Sequence, residues 1–200
     1  MNTINVYTDG SCLSNPGPGG YCALLELPEL SEPIELSGGE AQTTNNRMEL
    51  EAVIKAFEHL AEENAFLTEI NLYSDSQYVI NGITSWMEGW KEKGFSGIKN
   101  PKEWEKLYNL VHPFSNLHCF WVKGHAGHPQ NELCDTIARN KACEYQKGKE
   151  NLTVLQNGKI TIVGSEEEQE QFDMYLELFP DEISCKLKEI VEKLYSLEQK

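Results

Sequence analysis

No apolar run in this chain of 200 residues approaches the roughly 20 residues that a helix needs to cross a bilayer, which argues against a membrane-spanning helix. The opening stretch, Met1 to Tyr7, lacks the basic and apolar regions of a secretory leader, so the expected location is intracellular and cytoplasmic. The sequon Asn151-Leu152-Thr153 carries little weight in such a protein. Cysteine occurs six times, at Cys12, Cys22, Cys119, Cys134, Cys143 and Cys185, but never as C-x-x-C. That spacing gives no sign of a redox dithiol, and the thiols read as reduced, small packed hydrophobes. His125 and His128 could lend themselves to zinc, but no second pair stands at ligand spacing.

Positive charge is also scarce. Lys and Arg number 17 against 32 Asp and Glu, a net of −15. Taken alone, this argues against nucleic acid, which is held by neutralising phosphates. What is plentiful is the profile of a soluble globular chain, 40% hydrophobic and 24% charged.

Ile4 to Asp9 alternates apolar and polar residues and predicts a strand ending in an acid. A turn-rich stretch, Gly10 to Gly20, follows with Asn15-Pro16-Gly17-Pro18-Gly19-Gly20 at its centre. Tyr21 to Leu27 and Ile34 to Ser37 predict two further strands, an antiparallel meander with the first. The period then changes. Leu50, Val53, Ile54, Phe57 and Leu60 mark an amphipathic helix over Asn45 to Glu63, with Asn46 and Glu49 spaced as a capping arrangement. Glu69 to Asp75 is again a strand running into an acid. Helices are expected from Ser76 to Ile83, Trp86 to Lys93, Pro101 to Val111 and Asn131 to Tyr145, with a fifth strand from His118 to Lys123. Helices between the later strands call for parallel crossovers. The expectation is an α/β domain over residues 1–146, a mixed five-stranded sheet of three antiparallel then two parallel strands, flanked by helices.

Beyond a polar linker, Lys147 to Glu150, two short alternating runs surround Asn157-Gly158, a strong hairpin signal. Glu166 to Leu178 and Ile183 to Leu197 read as helices, the last with Ile183, Leu187, Ile190, Val191, Leu194 and Leu197 on one face. This extension, residues 151–200, packs either on its own hairpin, on the first domain, or on a second copy of the chain.

Four acids stand out by position. Asp9 and Asp75 each close a predicted strand, Glu49 lies on the first helix, and Asp135 lies on the helix after a glycine-rich loop. If the first and fourth strands are neighbours, Asp9 and Asp75 end side by side. Like-charged carboxylates held together need a cation or a proton between them. Mg²⁺, a hard ion that takes oxygen ligands, suits that demand.

The words around these acids are Tyr7-Thr8-Asp9-Gly10-Ser11, Thr43-Thr44-Asn45-Asn46-Arg47-Met48-Glu49-Leu50 and Tyr73-Ser74-Asp75-Ser76-Gln77-Tyr78. The fourth is Trp121 to Pro129, containing Lys123-Gly124-His125-Ala126-Gly127-His128, followed by Asn131-Glu132-Leu133-Cys134-Asp135. All four, in order, resemble the type 1 ribonuclease H family over about residues 1–146. The resemblance implies an RNase H-like fold and an endoribonuclease that hydrolyses the RNA strand of RNA–DNA hybrids, leaving 5′-phosphate and 3′-hydroxyl ends. It implies that Asp9, Glu49, Asp75 and Asp135 hold two Mg²⁺ ions, with Mn²⁺ as a substitute, in two-metal chemistry.

By the same resemblance His125 assists proton transfer or product departure, which suits a titrating imidazole; a lone loop His is otherwise structural or merely exposed. Glu132 matches a position near the second metal, or is an ordinary helix-face Glu. Cys12, Asn15, Asn45, Asn46 and Gln77 would line the hybrid's minor groove, with Thr44 near a DNA phosphate. Amides suit that task because they donate and accept. Trp86 and Trp90 fall where the family packs aromatics on the DNA strand, yet their spacing equally fits a core.

One segment departs from the pattern. Between Trp86 and Lys106, where many relatives are basic, Lys91, Lys93, Lys99, Lys102 and Lys106 are nearly cancelled by Glu88, Glu92, Glu103 and Glu105. The acidity is shared along the chain: 12 basic against 21 acidic residues in 1–150, and 5 against 11 beyond. Two other functions fit the fold, an integrase-like strand transferase and a catalytically silent hybrid-binding module. The His125 loop and the Asn45-Asn46 pair disfavour the first, and the presence of all four acids disfavours the second.

Overall fold

The computed structural model describes residues 3–150, 153–156 and 159–162, with side chains through residue 146. The chain divides into two compact units, Met1–Gly148 and Lys149–Lys200.

In the first unit, β1 (Thr3–Cys12), β2 (Gly17–Glu26) and β3 (Ile34–Thr43) form the expected meander. The chain continues through α1 (Asn45–Glu62), β4 (Glu69–Ser74), α2 (Gln77–Asn81), a π-helical turn (Gly82–Trp86), α3 (Met87–Glu92), α4 (Pro101–Val111), β5 (Leu117–Trp121) and α5 (Pro129–Glu150). The sheet order is β3-β2-β1-β4-β5. β1 pairs antiparallel with β2 and parallel with β4, and β4 pairs parallel with β5. The mixed sheet expected from the alternation of strands and helices is the one observed.

Period-two burial explains how the sheet is covered. Ile4, Val6, Ile70 and Leu72 face one side and pack with Leu50, Val53, Ile54, Phe57 and Leu60 of α1 and with Trp104, Leu107 and Val111 of α4. On the other side, α5 lays Cys134 and Ala138 against Cys22 and Leu24 of β2. Its small residues permit a close approach: a Cβ at Gly20 would collide with the backbone of α5 at Ala138 and Ala142. Beyond α5 the same face carries Tyr7, Tyr73 and Phe120 in register across three parallel strands. Their rings stack with centroid separations of 5.0 and 5.1 Å.

Several boundaries move from their sequence-based positions. β1 and β2 run deep into the glycine-rich stretch, pairing Gly10 with Tyr21, Ser11 with Gly20 and Cys12 with Gly19. Backbone hydrogen bonding needs no apolar side chains, so the composition of that stretch concealed a ladder. β3 likewise extends to Thr43 rather than ending at Ser37. The helices predicted as Ser76–Ile83 and Trp86–Lys93 form one continuous run with a π turn inside it. α5 begins at Pro129, where proline's fixed φ suits a first helical position. α1 is capped by Thr44, without a side-chain cap bond, and not by an Asn46–Glu49 capping box.

In the second unit, β6 (Thr153–Gln156) and β7 (Lys159–Ile162) pair antiparallel, Gln156 opposite Lys159, as the Asn157-Gly158 signal predicts for the flanking strands. The turn itself and the helices expected over Glu166–Leu178 and Ile183–Leu197 lie outside the described residues. No helix among the described residues is long and apolar enough to cross a membrane.

Candidate active site

The four acids come from four elements that converge at the C-terminal edge of the parallel strands. Thr8 and Ser74 are the last paired residues of β1 and β4, so Asp9 and Asp75 follow side by side. Asp9 does not end its strand: β1 continues for three residues, with Asp9 opposite Cys22 of β2. This makes Asp9 a buried residue, 6% exposed. Its Oδ1 accepts the Gly10 N–H at 2.8 Å.

Glycine controls the approach of the other acids. A Cβ on Gly10 would overlap the α1 backbone at Met48 and Glu49, so only glycine lets α1 come down on β1 there. A Cβ on Gly124 would stand 2.5 Å from Asp75 Oδ2, so the loop leaving β5 passes directly over that carboxylate. Trp121 Nε1 donates to the Asp75 carbonyl oxygen at 2.9 Å.

Electrostatics record the same convergence. Burial first, and then the Asp75 carboxylate, push the Asp9 carboxyl up to about 8, with Asp135 and Glu49 adding to the rise. Glu49 is pushed up to about 7, chiefly by burial and further by Asp75, against hydrogen bonds from Ser76 and Asn45 that favour its charged form. Asp9 and Glu49 are therefore pushed toward holding protons near neutral pH, a cost that a cation in the pocket would relieve.

The donor set suits a hard divalent cation, being oxygen throughout. Among the described residues no three His, Cys, Asp or Glu side chains close on one point as a ready-made cage. That openness is compatible with Mg²⁺, which is commonly held by one or two carboxylates together with substrate phosphate and water.

The remaining expected residues have the following places. His125 has φ of 52° and is exposed; its Nδ1 stands 3.8 Å from Asp135 Oδ2, beyond hydrogen-bond range. The loop that carries it is tied to α5, since the Gly127 N–H donates to Glu132 Oε1 at 2.9 Å. Cys12 Sγ lies 2.7 Å from the Ser14 carbonyl oxygen and 3.6 Å from those of Gly17 and Thr43, linking the β1–β2 loop to the start of α1. Asn15 is exposed on that loop, Thr44 caps α1, Asn46 follows in its first turn, and Gln77 opens α2 exposed. Asn45 turns inward, its Nδ2 donating to Glu49 Oε1 at 2.8 Å.

Trp86 and Trp90 part company. Their rings touch at 5.6 Å, but Trp90 packs edge-on against the buried Trp104 at 5.0 Å whereas Trp86 remains 41% exposed. Trp90 thus packs in the helical segment while staying partly exposed, and Trp86 is the more open of the two.

Comparison with known proteins joins the geometry here. The family described as RNase H matches residues 1–143. The chain belongs to the RNase H family. A ribonuclease H of Xanthomonas campestris pv. campestris is 49% identical over 153 residues, 74% of this chain and 97% of that protein. One from Campylobacter curvus is 43% identical over 151 residues, 73% of this chain and 97% of that protein. Among solved structures, LC9-RNase H1, a type 1 RNase H with the type 2 active-site motif, superposes with a TM-score of 0.65 at 30% identity. That match covers 84% of this chain and 80% of the other. LC11-RNase H1, solved in complex with RNA/DNA hybrid, gives 0.54 at 25% identity over 72% of this chain and 99% of the other. The molecule is a ribonuclease H enzyme.

Sequence reasoning had no role for Ser76 beyond starting a helix. Its hydroxyl in fact donates to Glu49 Oε2. The only sequence cue is its place directly after Asp75.

Proposed function

We propose that this ribonuclease H hydrolyses the RNA strand of RNA–DNA hybrids with divalent metal, leaving 5′-phosphate and 3′-hydroxyl ends, and that it acts in the cytoplasm. The observation that carries the reading is the meeting of four acids at one strand edge: Asp9 and Asp75 follow the paired residues Thr8 and Ser74, and Asp75, Asp135 and Glu49 each act on the Asp9 carboxyl. Two Mg²⁺ ions, or Mn²⁺, when bound would supply activation of water and neutralisation of charge on the departing 3′ oxygen.

The chain's own groups do the rest. Asp9, Glu49, Asp75 and Asp135 are the ligands we assign, Asp9 fixed by the Gly10 amide and Glu49 by Asn45 and Ser76. To His125, exposed with Nδ1 3.8 Å from Asp135 Oδ2, we assign the transfer of a proton at the rim. Cys12, Asn15, Thr44, Asn46, Gln77, Trp86 and Trp90 are the groups we assign to the hybrid, with Asn45 dividing its amide between Glu49 and the groove.

Incubation with labelled RNA–DNA hybrid, duplex DNA and single-stranded RNA, with Mg²⁺ or with EDTA, tests the proposal. Cleavage confined to the hybrid's RNA strand and abolished by EDTA is expected, as is its loss in Asp9→Asn. Cutting that survives EDTA would overturn the metal reading; cutting of duplex DNA would favour the strand transferase.

A further inference from the structure

Ser76 is 5% exposed and sits between the catalytic strand β4 and helix α2. Its hydroxyl has one proton and two lone pairs, and both kinds of capacity are used. The proton goes to Glu49 Oε2. A lone pair accepts the Val79 N–H at 3.3 Å, the N-cap bond of α2. The backbone N–H of Ser76 is itself held by Ser74 Oγ at 3.2 Å, so the hydroxyl has a fixed origin. On its other oxygen, Glu49 accepts from Asn45 Nδ2 at 2.8 Å.

Each Glu49 oxygen therefore has its own donor, one from its own helix one turn back and one from the residue that follows Asp75 where the chain leaves β4. Only the second refers Glu49 to the sheet. Without it the carboxylate would be registered to α1 alone, free to rotate about its terminal torsion away from Asp75, which repels it.

We infer that Ser76 is a positioning residue for the reaction: its hydroxyl, pinned by the cap of α2, aims the Glu49 carboxylate at the point it shares with Asp75. The inference rests on the metal-dependent reading above. It assigns Ser76 no contact with substrate, and it makes the start of α2 part of the catalytic geometry.

The test uses the full chain. Glycine is nearly as good an N-cap as serine, so Ser76→Gly removes the donor to Glu49 while disturbing α2 little; Ser76→Thr keeps the hydroxyl. Loss of one hydrogen bond to a charged group predicts a fall of roughly tenfold or more in kcat and in Mn²⁺ affinity measured by calorimetry on the substrate-free protein. KM for hybrid and the melting temperature stay near the parent's, and Ser76→Thr recovers most of both losses. In a Glu49→Gln background, Ser76→Gly adds nothing further.

Unchanged Mn²⁺ affinity and kcat in Ser76→Gly would overturn the inference, as would a rise in KM alone, which would mark a substrate contact. An undiminished effect in the Glu49→Gln background would do the same. If Glu49→Gln itself leaves Mn²⁺ binding and cleavage intact, the metal reading falls first and takes this inference with it.

Discussion

Asp9 shows how a single residue couples stability to activity. Its carboxyl is raised from an ordinary 3.8 to about 8, and that of Glu49 from 4.5 to about 7, by burial and by the neighbouring acids. The fold thus prefers both groups protonated. Its advantage from them is complete below the unfolded values and is lost as pH rises through about 7 and 8. In EDTA the melting temperature should fall as pH goes from 5 to 9. Asp9→Asn cannot ionise, so it should flatten that decline and stabilise the metal-free protein at pH 9 by roughly 2–4 kcal/mol while abolishing cleavage. Thermal melts across pH in EDTA read this directly; a variant less stable than its parent at pH 9 would contradict it. That Asp9 mattered was legible from its place at a strand end beside Gly10. That it was buried was not, because the strand runs on through Gly10, Ser11 and Cys12 without an apolar pattern.

Between Gln77 and Glu92 a π turn interrupts the helix, and its first residue explains the need for it. Gly82 is buried against the outer edge of the Trp104 ring, and a Cβ there would overlap the ring carbons. Trp104 is fully buried, donates Nε1 to the Tyr78 hydroxyl at 2.6 Å and stacks edge-on with Trp90. The widened turn and the missing side chain make room for it. Gly82→Ala should therefore cost about 1–3 kcal/mol through overpacking, seen as a lower denaturant midpoint, with Mg²⁺-dependent kcat reduced less than in Ser76→Gly. A neutral Gly82→Ala would mean that Trp104 can shift freely. The helical period of this stretch was visible in the sequence. The π turn was not, since it answers to a tryptophan more than twenty residues away.

Across the whole molecule the net charge of −15 has to coexist with binding a polyanion. Part of the answer lies in which cations are already committed. Lys106 pairs with Glu58 at 2.6 Å, Arg47 with Glu40 at 3.1 Å and with Glu103 at 3.2 Å, and Lys91 is held by the Tyr108 hydroxyl at 2.6 Å. Lys93, Lys99 and Lys102 are exposed and enter no ion pair among the described residues. So few uncommitted cations in this segment allow few phosphate contacts there and hence a shallow dependence on salt. Glu88→Lys with Glu92→Lys should lower KM for hybrid at low salt several-fold and steepen its rise with salt by about one log unit per log unit for each new phosphate contact. Unchanged KM at low salt would show that α3 does not face substrate.

The sequence by itself determined the order of elements and the mixed sheet, and it singled out the four acids by position. Burial periodicity and strand-end position are local properties, and the motif words lie within single elements. What only the tertiary structure decided was how those pieces meet. The overrun of β1 past β4 buries Asp9, Gly10 admits α1, Trp90 turns into the core while Trp86 stays out, and Ser76 reaches Glu49. Each of these depends on distances between residues far apart in the chain. Such distances are set by packing, which no local pattern encodes.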